Sequence, residues 1–290
     1  MDFIKIFNDI TEKILPVILK YRNDIKALHI ELKDDKSFVT QADFEVQKLI
    51  METILKYDSN ANFIAEENNY IKGDNFDSGY TWIIDPIDGT SQFINPNSKE
   101  YCSAICVIES GNPVSAMILL PELGKGGNHI LVTGLVDTSQ IFVNGIPANN
   151  RINNTPIHTA SVTKRNEEPL FGFEENLLKN GYVLKTKATS QSIDQLRTAL
   201  DISNITDPPM ESFKFFYRGR QKIWDGAAGI CLNLIAGKKV IHLNGEEIIP
   251  FPKNMLKENP PTHFSIFEGD VSGLESILFR TKSNKNIDER

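Results

Sequence analysis

The order of apolar and polar residues in the first part of the chain predicts a helix and then a strand. Apolar residues recur every three or four positions over residues 3–21, which predicts an amphipathic helix that Pro16 should kink or divide. Apolar and polar residues then alternate over residues 28–32, which is typical of a strand, and residues 34–36 follow as a turn. These elements provide packing surface and carry no candidate chemistry.

A second helix has a clear predicted start, where Thr40 and Asp43 match the capping-box pattern. Phe44, Ile50 and Ile54 give this helix an apolar face. Asp43 therefore has two possible roles, as a helix cap and as a functional carboxylate. The local pattern alone favours the cap.

Two short hydrophobic strands are predicted to end in carboxylates. Residues 62–65 lead into Glu66 and Glu67, and adjacent acids on an extended chain point to opposite sides, so at most one of them faces a metal ion. The next strand ends at Asp85, because Pro86 has no amide hydrogen to donate to a ladder. Since the strands are close along the chain, we expect their ends to be neighbours.

The turn after the second strand is the main candidate for chemistry. Asp85, Asp88 and the Ile87 carbonyl can point at one place, and Mg²⁺ prefers such oxygen ligands, with water or phosphate in its remaining positions. The backbone amides of Gly89 and Thr90, at the start of a short helix, would favour an anion. Asp-Pro and Asp-Gly pairs also form ordinary solvated turns, so the turn alone leaves this alternative open.

The middle of the chain predicts an antiparallel sheet, and the remainder predicts alternating helices and strands. The predicted strands of the sheet cover residues 101–109, 114–120, 130–132 and 140–143. A polar stretch at 147–156 predicts a boundary between an N-terminal α+β domain, residues 1–152, and a smaller C-terminal α/β domain, residues 153–290. In the second domain the predicted helices are 174–179, 192–200 and 225–236, and the predicted strands are 182–187, 213–217 and 239–243.

Asp225 stands at the start of one of these helices. The small residues 226–229 allow the helix to pack closely on a neighbour, and Asp225 is either its cap or a ligand that points outward. Arg218, Arg220 and Lys222 precede it as a basic cluster in an acidic chain. This cluster is either a solvated edge or a site for a substrate anion.

Composition narrows the range of functions. The chain has 290 residues and a net charge of −7, which disfavours a nucleic-acid polymer or an anionic membrane as the main partner. Phosphates remain suitable partners if metal ions supply positive charge. We expect a cytoplasmic protein, because there is no basic leader segment and no apolar run of membrane-spanning length. The three cysteines lack a C-x-x-C spacing and are most simply core residues.

Four segments in order carry a resemblance to a known family: Val39-Thr40-Gln41-Ala42-Asp43, Ala65-Glu66-Glu67, Asp85-Pro86-Ile87-Asp88-Gly89-Thr90 and Trp224-Asp225. Each is weak alone. Together they resemble the Mg²⁺-dependent, lithium-sensitive phosphatases of the inositol monophosphatase superfamily, and the resemblance covers most of the chain. It implies a layered α-β-α-β-α fold, two or three Mg²⁺ ions, a small phosphorylated metabolite as substrate and a possible homodimer.

The resemblance also implies a role for each site residue. The implied metal ligands are Glu66, Asp85, the Ile87 carbonyl, Asp88 and Asp225. The implied catalytic residues, which would act on the attacking water, are Asp43, Thr90 and Glu66. The implied substrate-binding residues are Asp88, Gly89, Thr90 and Asp225. A bisphosphate substrate would need a second anion site, and the basic cluster with Arg218 and Arg220 is placed in the sequence to provide one beside Asp225. Divalent ions would neutralise the phosphate oxygens while they activate the water.

The residues after Thr90 bear on the substrate. Ser91-Gln92-Phe93-Ile94 resembles the 3′(2′),5′-bisphosphate nucleotidase branch at least as well as the inositol monophosphatases, so we predict the former activity, with inositol-1-monophosphatase as the alternative. The family's small-residue segment is not recognisable over residues 200–216, and this departure falls in the half of the chain that is expected to set substrate specificity. Two further alternatives are a catalytically idle sensor of a phosphorylated metabolite, opposed by the complete ligand set, and a two-metal nuclease, opposed by the acidic charge.

Overall fold

The computed structural model describes residues 1–25, 28–33, 38–73, 76, 78–148, 157–163, 172–242, 244–257 and 264–269. The helices in these ranges are α1 (Phe3–Asn23), α2 (Gln41–Ile54), α3 (Thr90–Phe93), α4 (Gly172–Lys179), α5 (Gln191–Ala199), α6 (Ile223–Ile235) and α7 (Lys253–Lys257). The strands are β1 (Ile30–Leu32), β2 (Phe38–Thr40), β3 (Asn62–Ala65), β4 (Tyr70–Lys72), β5 (Tyr80–Asp88), β6 (Cys102–Glu109), β7 (Asn112–Leu120), β8 (Ile130–Leu135), β9 (Gln140–Val143), β10 (Ile146–Pro147), β11 (Thr159–Thr163), β12 (Val183–Lys185), β13 (Phe215–Gln221), β14 (Lys239–Ile241) and β15 (Phe264–Gly269).

Helix α1 forms the predicted amphipathic element. Its apolar stripe is buried, and the Asp2 side chain caps its first turn by accepting from the Lys5 backbone amide at 3.0 Å. Of the two effects predicted for Pro16, a kink or a division, the division is wrong, since α1 continues through Pro16. Pro16 and Glu12 are both exposed, so water can satisfy the carbonyl that loses its partner.

The first sheet has eight strands in the order β10-β9-β8-β7-β6-β5-β3-β4. Its predicted strands are confirmed, and neighbours pair antiparallel except for β3 and β5, which are parallel, so this sheet is mixed and not wholly antiparallel. The parallel pair brings the ends of β3 and β5 to the same edge, as expected for the two carboxylate-bearing strands. The turn predicted at residues 34–36 lies outside the described residues.

Strand β5 differs from the prediction at Pro86. The strand does not stop after Asp85 but continues to Asp88, and its pairing shifts from Asp85 opposite Ala104 to Asp88 opposite Cys102. Pro86 lies within this irregularity, where the ladder does not require its missing amide hydrogen. The bulge therefore keeps both aspartates on one strand while changing the direction of the backbone between them.

Helices cover both faces of the first sheet. Ile84 and Trp82 belong to a core cluster with residues of α1 and α2, whereas Ile83 belongs to a second cluster with residues of α5 and α6. Successive residues of a strand point to opposite faces, which explains this division. All three cysteines are buried, as expected.

The second sheet completes a layered α-β-α-β-α arrangement. Its order is β12-β11-β13-β15-β14, with β11 parallel to both β12 and β13 and the other pairs antiparallel. Phe216 packs towards α5 and α6, and Phe215 packs with Phe173 and Leu177 of α4 on the other face. The family resemblance implied this layering, whereas the sequence pattern of this half missed β11, β15 and α7.

The boundary predicted at residue 152 lies outside the described residues. One core cluster combines Ile118 of the first sheet with Leu196 and Trp224 of the second half, so the two halves share packing. The division into two domains stays a prediction. No helix in the described part of the chain is long and apolar enough to cross a membrane.

Candidate active site

The start of α2 places Asp43 beside the turn that follows β5. Asp43 Oδ2 accepts from the backbone amide of Thr40 at 2.8 Å and from its hydroxyl at 2.6 Å, which confirms the capping role. Its other oxygen, Oδ1, lies 3.3 Å from the Thr90 hydroxyl, which is also 3.1 Å from the Ile87 carbonyl. Burial raises the pKa of Asp43 to about 6, against the lowering effect of Thr40. One side chain therefore caps a helix and contacts Thr90.

Asp85 is the most deeply placed acid at the end of β5. Burial and then repulsion from Glu66, Asp88 and Asp225 raise the pKa of Asp85 well above its usual value. Its carboxyl group is in hydrogen-bonding contact with that of Glu66, and its Oδ1 is buried without a partner. We call Glu66, Asp85, Asp88 and Asp225 the carboxylate cluster. These four acids come from three chain segments, because Asp85 and Asp88 both lie on β5.

Glu66 and Glu67 do not point apart as the sequence predicted. The backbone of Glu66 is helical, with φ −63° and ψ −49°, so the extended geometry assumed for this pair was wrong. The Lys33 ammonium contacts Glu66 Oε1 at 2.8 Å and Glu67 Oε1 at 3.1 Å. Burial lowers the pKa of Lys33, but these two carboxylates outweigh it and hold the pKa above its usual value. Both acids therefore share one cation.

Asp88 is held by the start of α5. Its Oδ2 accepts from the Ser190 hydroxyl at 2.7 Å and from the Ser192 amide at 2.5 Å, and its Oδ1 accepts from the Gln191 amide at 3.2 Å. Burial raises the pKa of Asp88 while these donors lower it. A carboxylate oxygen accepts about two hydrogen bonds, so Oδ1 keeps capacity for a further partner.

Gly89 is required by the shape of the turn. Its φ of +86° is in the left-handed region, and an added Cβ would lie 3.1 Å from the Glu100 carbonyl oxygen and 3.2 Å from Ser190 Cβ. Gly89 leads directly into α3, whose first residue is Thr90. The glycine thus lets Asp88 face α5 while Thr90 faces Asp43.

Asp225 enters the cluster from α6. Its Oδ2 accepts from the Lys222 amide at 3.1 Å, so Asp225 caps α6, which is one of the two roles predicted for it. Its side chain is also part of the carboxylate cluster. Burial and repulsion from Glu66 and Asp88 raise the pKa of Asp225 to about 7, and Arg218 lowers it. Arg218 donates to the Thr163 hydroxyl at 3.2 Å, whereas Arg220 is exposed.

The donor set fits a hard cation, although its members are not closed around one point. Among the described residues, no three His, Cys, Asp or Glu side chains converge as a ready-made metal cluster. The fit rests on the unpartnered Asp85 Oδ1, on the Asp85–Glu66 contact between two acids and on the spare capacity of Asp88 Oδ1. Several buried acids so close together need positive charge, and oxygen donors of this kind suit Mg²⁺.

Sequence reasoning missed three contributors to this site: Lys33, the Ser190–Ser192 segment and Gln221. The Ser190 side chain accepts from the Ile193 amide as an N-cap, a signal that the sequence offered two residues before the predicted helix start. Lys33 gave no such signal, because a lysine after a strand is ordinarily solvated. Gln221 gave no signal either, because its role depends on a contact with Gln191 of α5 that only the packing of the elements creates.

The site agrees with comparisons to known proteins. Residues 2–269 match the inositol monophosphatase family. The chain is 34% identical over 99 residues to the 3′(2′),5′-bisphosphate nucleotidase CysQ of Haemophilus influenzae, a match that covers 34% of this chain and only 36% of that protein. It is 27% identical over 230 residues to the fructose-1,6-bisphosphatase/inositol-1-monophosphatase of Thermotoga maritima, covering 79% and 80% of the two chains.

A solved structure supports the fold. An IMPase/NADP phosphatase complexed with NADP and Ca²⁺ superposes with a TM-score of 0.73 at 18% identity, covering 98% of this chain and 96% of that one. At this identity the likeness concerns the fold alone.

Proposed function

Because this chain belongs to the inositol monophosphatase family, whose members are metal-dependent phosphoric monoester hydrolases, we propose that it hydrolyses a small phosphorylated metabolite with Mg²⁺. The observation that carries the proposal is the carboxylate cluster, in which three chain segments bring four acids together and in which burial and then repulsion between the acids raise the pKa of Asp85. We propose that two or three ions are held by Glu66, Asp85, the Ile87 carbonyl, Asp88 and Asp225.

The bound ions would supply the chemistry that a phosphate monoester needs, since they neutralise its anionic oxygens and lower the pKa of a bound water. The protein would orient that water through Thr90. The Thr90 hydroxyl donates to Asp43 when that carboxylate is ionised, which leaves the hydroxyl oxygen free to accept from the water. Glu66 would help to take the proton of the water. No side chain of the protein needs to act as nucleophile.

The substrate phosphate would bind at Asp88, Gly89, Thr90 and Asp225 through the ions and the backbone of the turn. Asp88 and Asp225 carry like charge to the phosphate and so can serve it only through cations. The leaving oxygen would lie near Asp225, which comes from the opposite half of the molecule.

We propose a 3′(2′),5′-bisphosphate nucleotidase as the specific activity. A second phosphate needs a second cationic group, and Arg218 is close enough to Asp225 to lower its pKa, with the exposed Arg220 two residues further along the same strand. The likeness to the H. influenzae nucleotidase agrees with this choice. The likeness to the T. maritima enzyme favours the alternative, an inositol-1-monophosphatase.

A sensor that binds a phosphorylated metabolite without hydrolysing it is the alternative of another class. Such a protein would have no need for the acids that activate water, yet Glu66, Asp85, Asp88 and Asp225 are all present, with Asp43 and Thr90 in contact beside them. A homodimer and a cytoplasmic location stay predictions.

The test is phosphate release from adenosine 3′,5′-bisphosphate, inositol 1-phosphate and fructose 1,6-bisphosphate, with Mg²⁺, with Mg²⁺ and Li⁺, and with a chelator. We expect release only with Mg²⁺, inhibition by Li⁺ and the fastest turnover on the nucleotide. Preference for the inositol ester would favour the alternative enzyme. Binding of these compounds without any release would instead identify a sensor.

A further inference from the structure

The contact between α5 and α6 includes several buried side-chain amides beside its apolar residues. Gln191 and Gln195 of α5 pack against Gly226 and Gly229 of α6. A Cβ added at Gly226 would lie 2.5 Å from Gln221 Oε1, and one at Gly229 would lie 2.3 Å from Gln195 Oε1. Side-chain amides therefore fill the space that the two glycines leave. We call the buried amides of this contact the amide seam; its members are Gln191, Gln195, Gln221 and Asn233.

One end of the amide seam lies between two acids of the carboxylate cluster. The Gln191 side chain donates from Nε2 to Gln221 Oε1. The backbone amide of Gln191 donates to Asp88 Oδ1 at 3.2 Å, and Gln221 is followed by Lys222, whose amide donates to Asp225 Oδ2 at 3.1 Å. One hydrogen bond between side chains and two hydrogen bonds from backbone amides thus connect Asp88 to Asp225 through Gln191 and Gln221.

The hydrogen-bonded pair Gln191 and Gln221 lowers the stability of the folded protein. Gln191 Oε1 and Gln221 Nε2 are buried without partners, and each unsatisfied buried polar atom costs roughly 1–3 kcal/mol. Leucine side chains of similar size would fill the same space without that cost. They would pack without a preferred direction, however, whereas a hydrogen bond between two amides fixes both distance and orientation.

We propose that Gln191 and Gln221 are a positioning pair that sets the separation of Asp88 and Asp225, and through it the affinity of the protein for Mg²⁺. The inference rests on the proposed function, because it takes both acids as ligands of the ions. Neither glutamine touches substrate, and each acts through an aspartate. Partners that orient metal ligands typically change metal affinity by 10-fold to 100-fold when they are replaced.

The experiment compares Gln191→Leu, Gln221→Leu and the double variant with the wild-type protein. Each single variant leaves the other amide wholly unpaired and should lower the melting temperature. The double variant removes both polar groups and should recover most of that loss, since replacing both partners by apolar groups is nearly neutral. Mg²⁺ affinity, measured by titration calorimetry, should fall about tenfold or more in all three.

The decisive measurements are the melting temperature and the Mg²⁺ affinity of the double variant. Recovered stability with weak Mg²⁺ binding supports positioning, whereas Mg²⁺ affinity that recovers together with stability would show a structural role only and overturn the inference. Unchanged affinity in every variant would overturn it as well.

Asn233→Leu is the matched control within the amide seam. Asn233 is a buried amide of α6, two turns beyond Asp225, and donates to Glu268 Oε2 at 2.7 Å. This variant should lose stability and keep its Mg²⁺ affinity. An equal loss of affinity in the control would mean that affinity follows stability, which contradicts the inference. Absence of Mg²⁺ binding to the wild-type protein would overturn the proposed function and the inference together.

Discussion

The carboxylate cluster and the amide seam both bury acids beside α6, but they differ in how the charge is satisfied. In the cluster, burial and three neighbouring acids raise the pKa of Asp85. A single acid, Glu268 of β15, contacts the amide seam: it accepts from Gln195 Nε2 at 2.5 Å and from Asn233 Nδ2 at 2.7 Å, and burial raises its pKa to about 8. One region gathers like charges, and the other surrounds one acid with neutral amides.

The difference shows which positive species each region needs. Gln195 Oε1 and Asn233 Oδ1 are buried acceptors without partners near Glu268, and a protonated Glu268 could donate to either after the amide group rotates. A proton on Glu268 would therefore give one of these unpaired amide oxygens a hydrogen-bond donor. The carboxylate cluster already has Lys33 at Glu66 and Arg218 near Asp225, and it still leaves Asp85 Oδ1 unpaired. Divalent cations suit that remaining charge better than protons do.

Asp85→Asn should have the largest effect, because it removes a proposed metal ligand and one of the mutually repelling charges. We expect turnover with Mg²⁺ to fall about a thousandfold or more, a loss of roughly 4 kcal/mol in transition-state stabilisation. Without Mg²⁺ the melting temperature should hold or rise, because repulsion within the cluster decreases. Phosphate release and thermal unfolding with and without Mg²⁺ measure both effects.

Asp137→Asn is the control for that experiment, since Asp137 is an exposed aspartate on the loop after β8. It should leave both turnover and the Mg²⁺-dependent gain in melting temperature unchanged. Turnover of Asp85→Asn within tenfold of the wild-type value would contradict the assignment of Asp85 as a ligand.

Arg218→Ala and Arg220→Ala should have a smaller and more selective effect. If these side chains hold the second phosphate, KM for adenosine 3′,5′-bisphosphate should rise about tenfold, as expected from one lost charge-assisted contact, while KM for inositol 1-phosphate changes little. Steady-state kinetics on the two substrates measure this difference. Lys187→Ala, at an exposed lysine, is the control. An equal rise in KM for both substrates would contradict the proposal that these arginines form a second-anion site.

Much of the fold was predictable because it depends on local patterns. The capping box of Thr40 and Asp43, the alternation in β6 and β7 and the small residues that follow Asp225 each specify a feature within a few residues of sequence. The local rules failed at two prolines, since α1 continues through Pro16 and β5 continues past Pro86 through a bulge.

The site was predictable in its acids and not in the groups that support them. Strand ends and family resemblance pointed to Asp85 and Asp225, which the fold brings into one cluster. Lys33, Gln191 and Gln221 read as ordinary polar residues in the sequence. Their importance comes from contacts across 33 and 30 residues of chain, for Lys33 with Glu66 and for Gln191 with Gln221, and such contacts depend on how the elements pack.

Glu268→Gln should have the smallest effect on activity. It tests whether the acid beside the amide seam is protonated in the folded protein. The unfolded chain releases the Glu268 proton near pH 4.5 and the folded protein keeps it up to about pH 8, so the folded protein binds more protons between these values. The stability that this proton provides is fully present below pH 4.5 and is lost as pH rises to about 8. The glutamine variant keeps a neutral side chain at every pH.

The measurement is the free energy of unfolding of both proteins by urea at several pH values between 4.5 and 8. The wild-type protein should lose stability relative to Glu268→Gln across this range, by roughly 1.4 kcal/mol for each pKa unit by which Glu268 is raised. Mg²⁺-dependent turnover at neutral pH should change by less than about twofold, because Glu268 contacts amides and no proposed ligand. Parallel pH profiles for the two proteins would mean that Glu268 is ionised within the seam. The amides would then be stabilising a charge, as cations do in the carboxylate cluster, and the contrast between the two regions would fail.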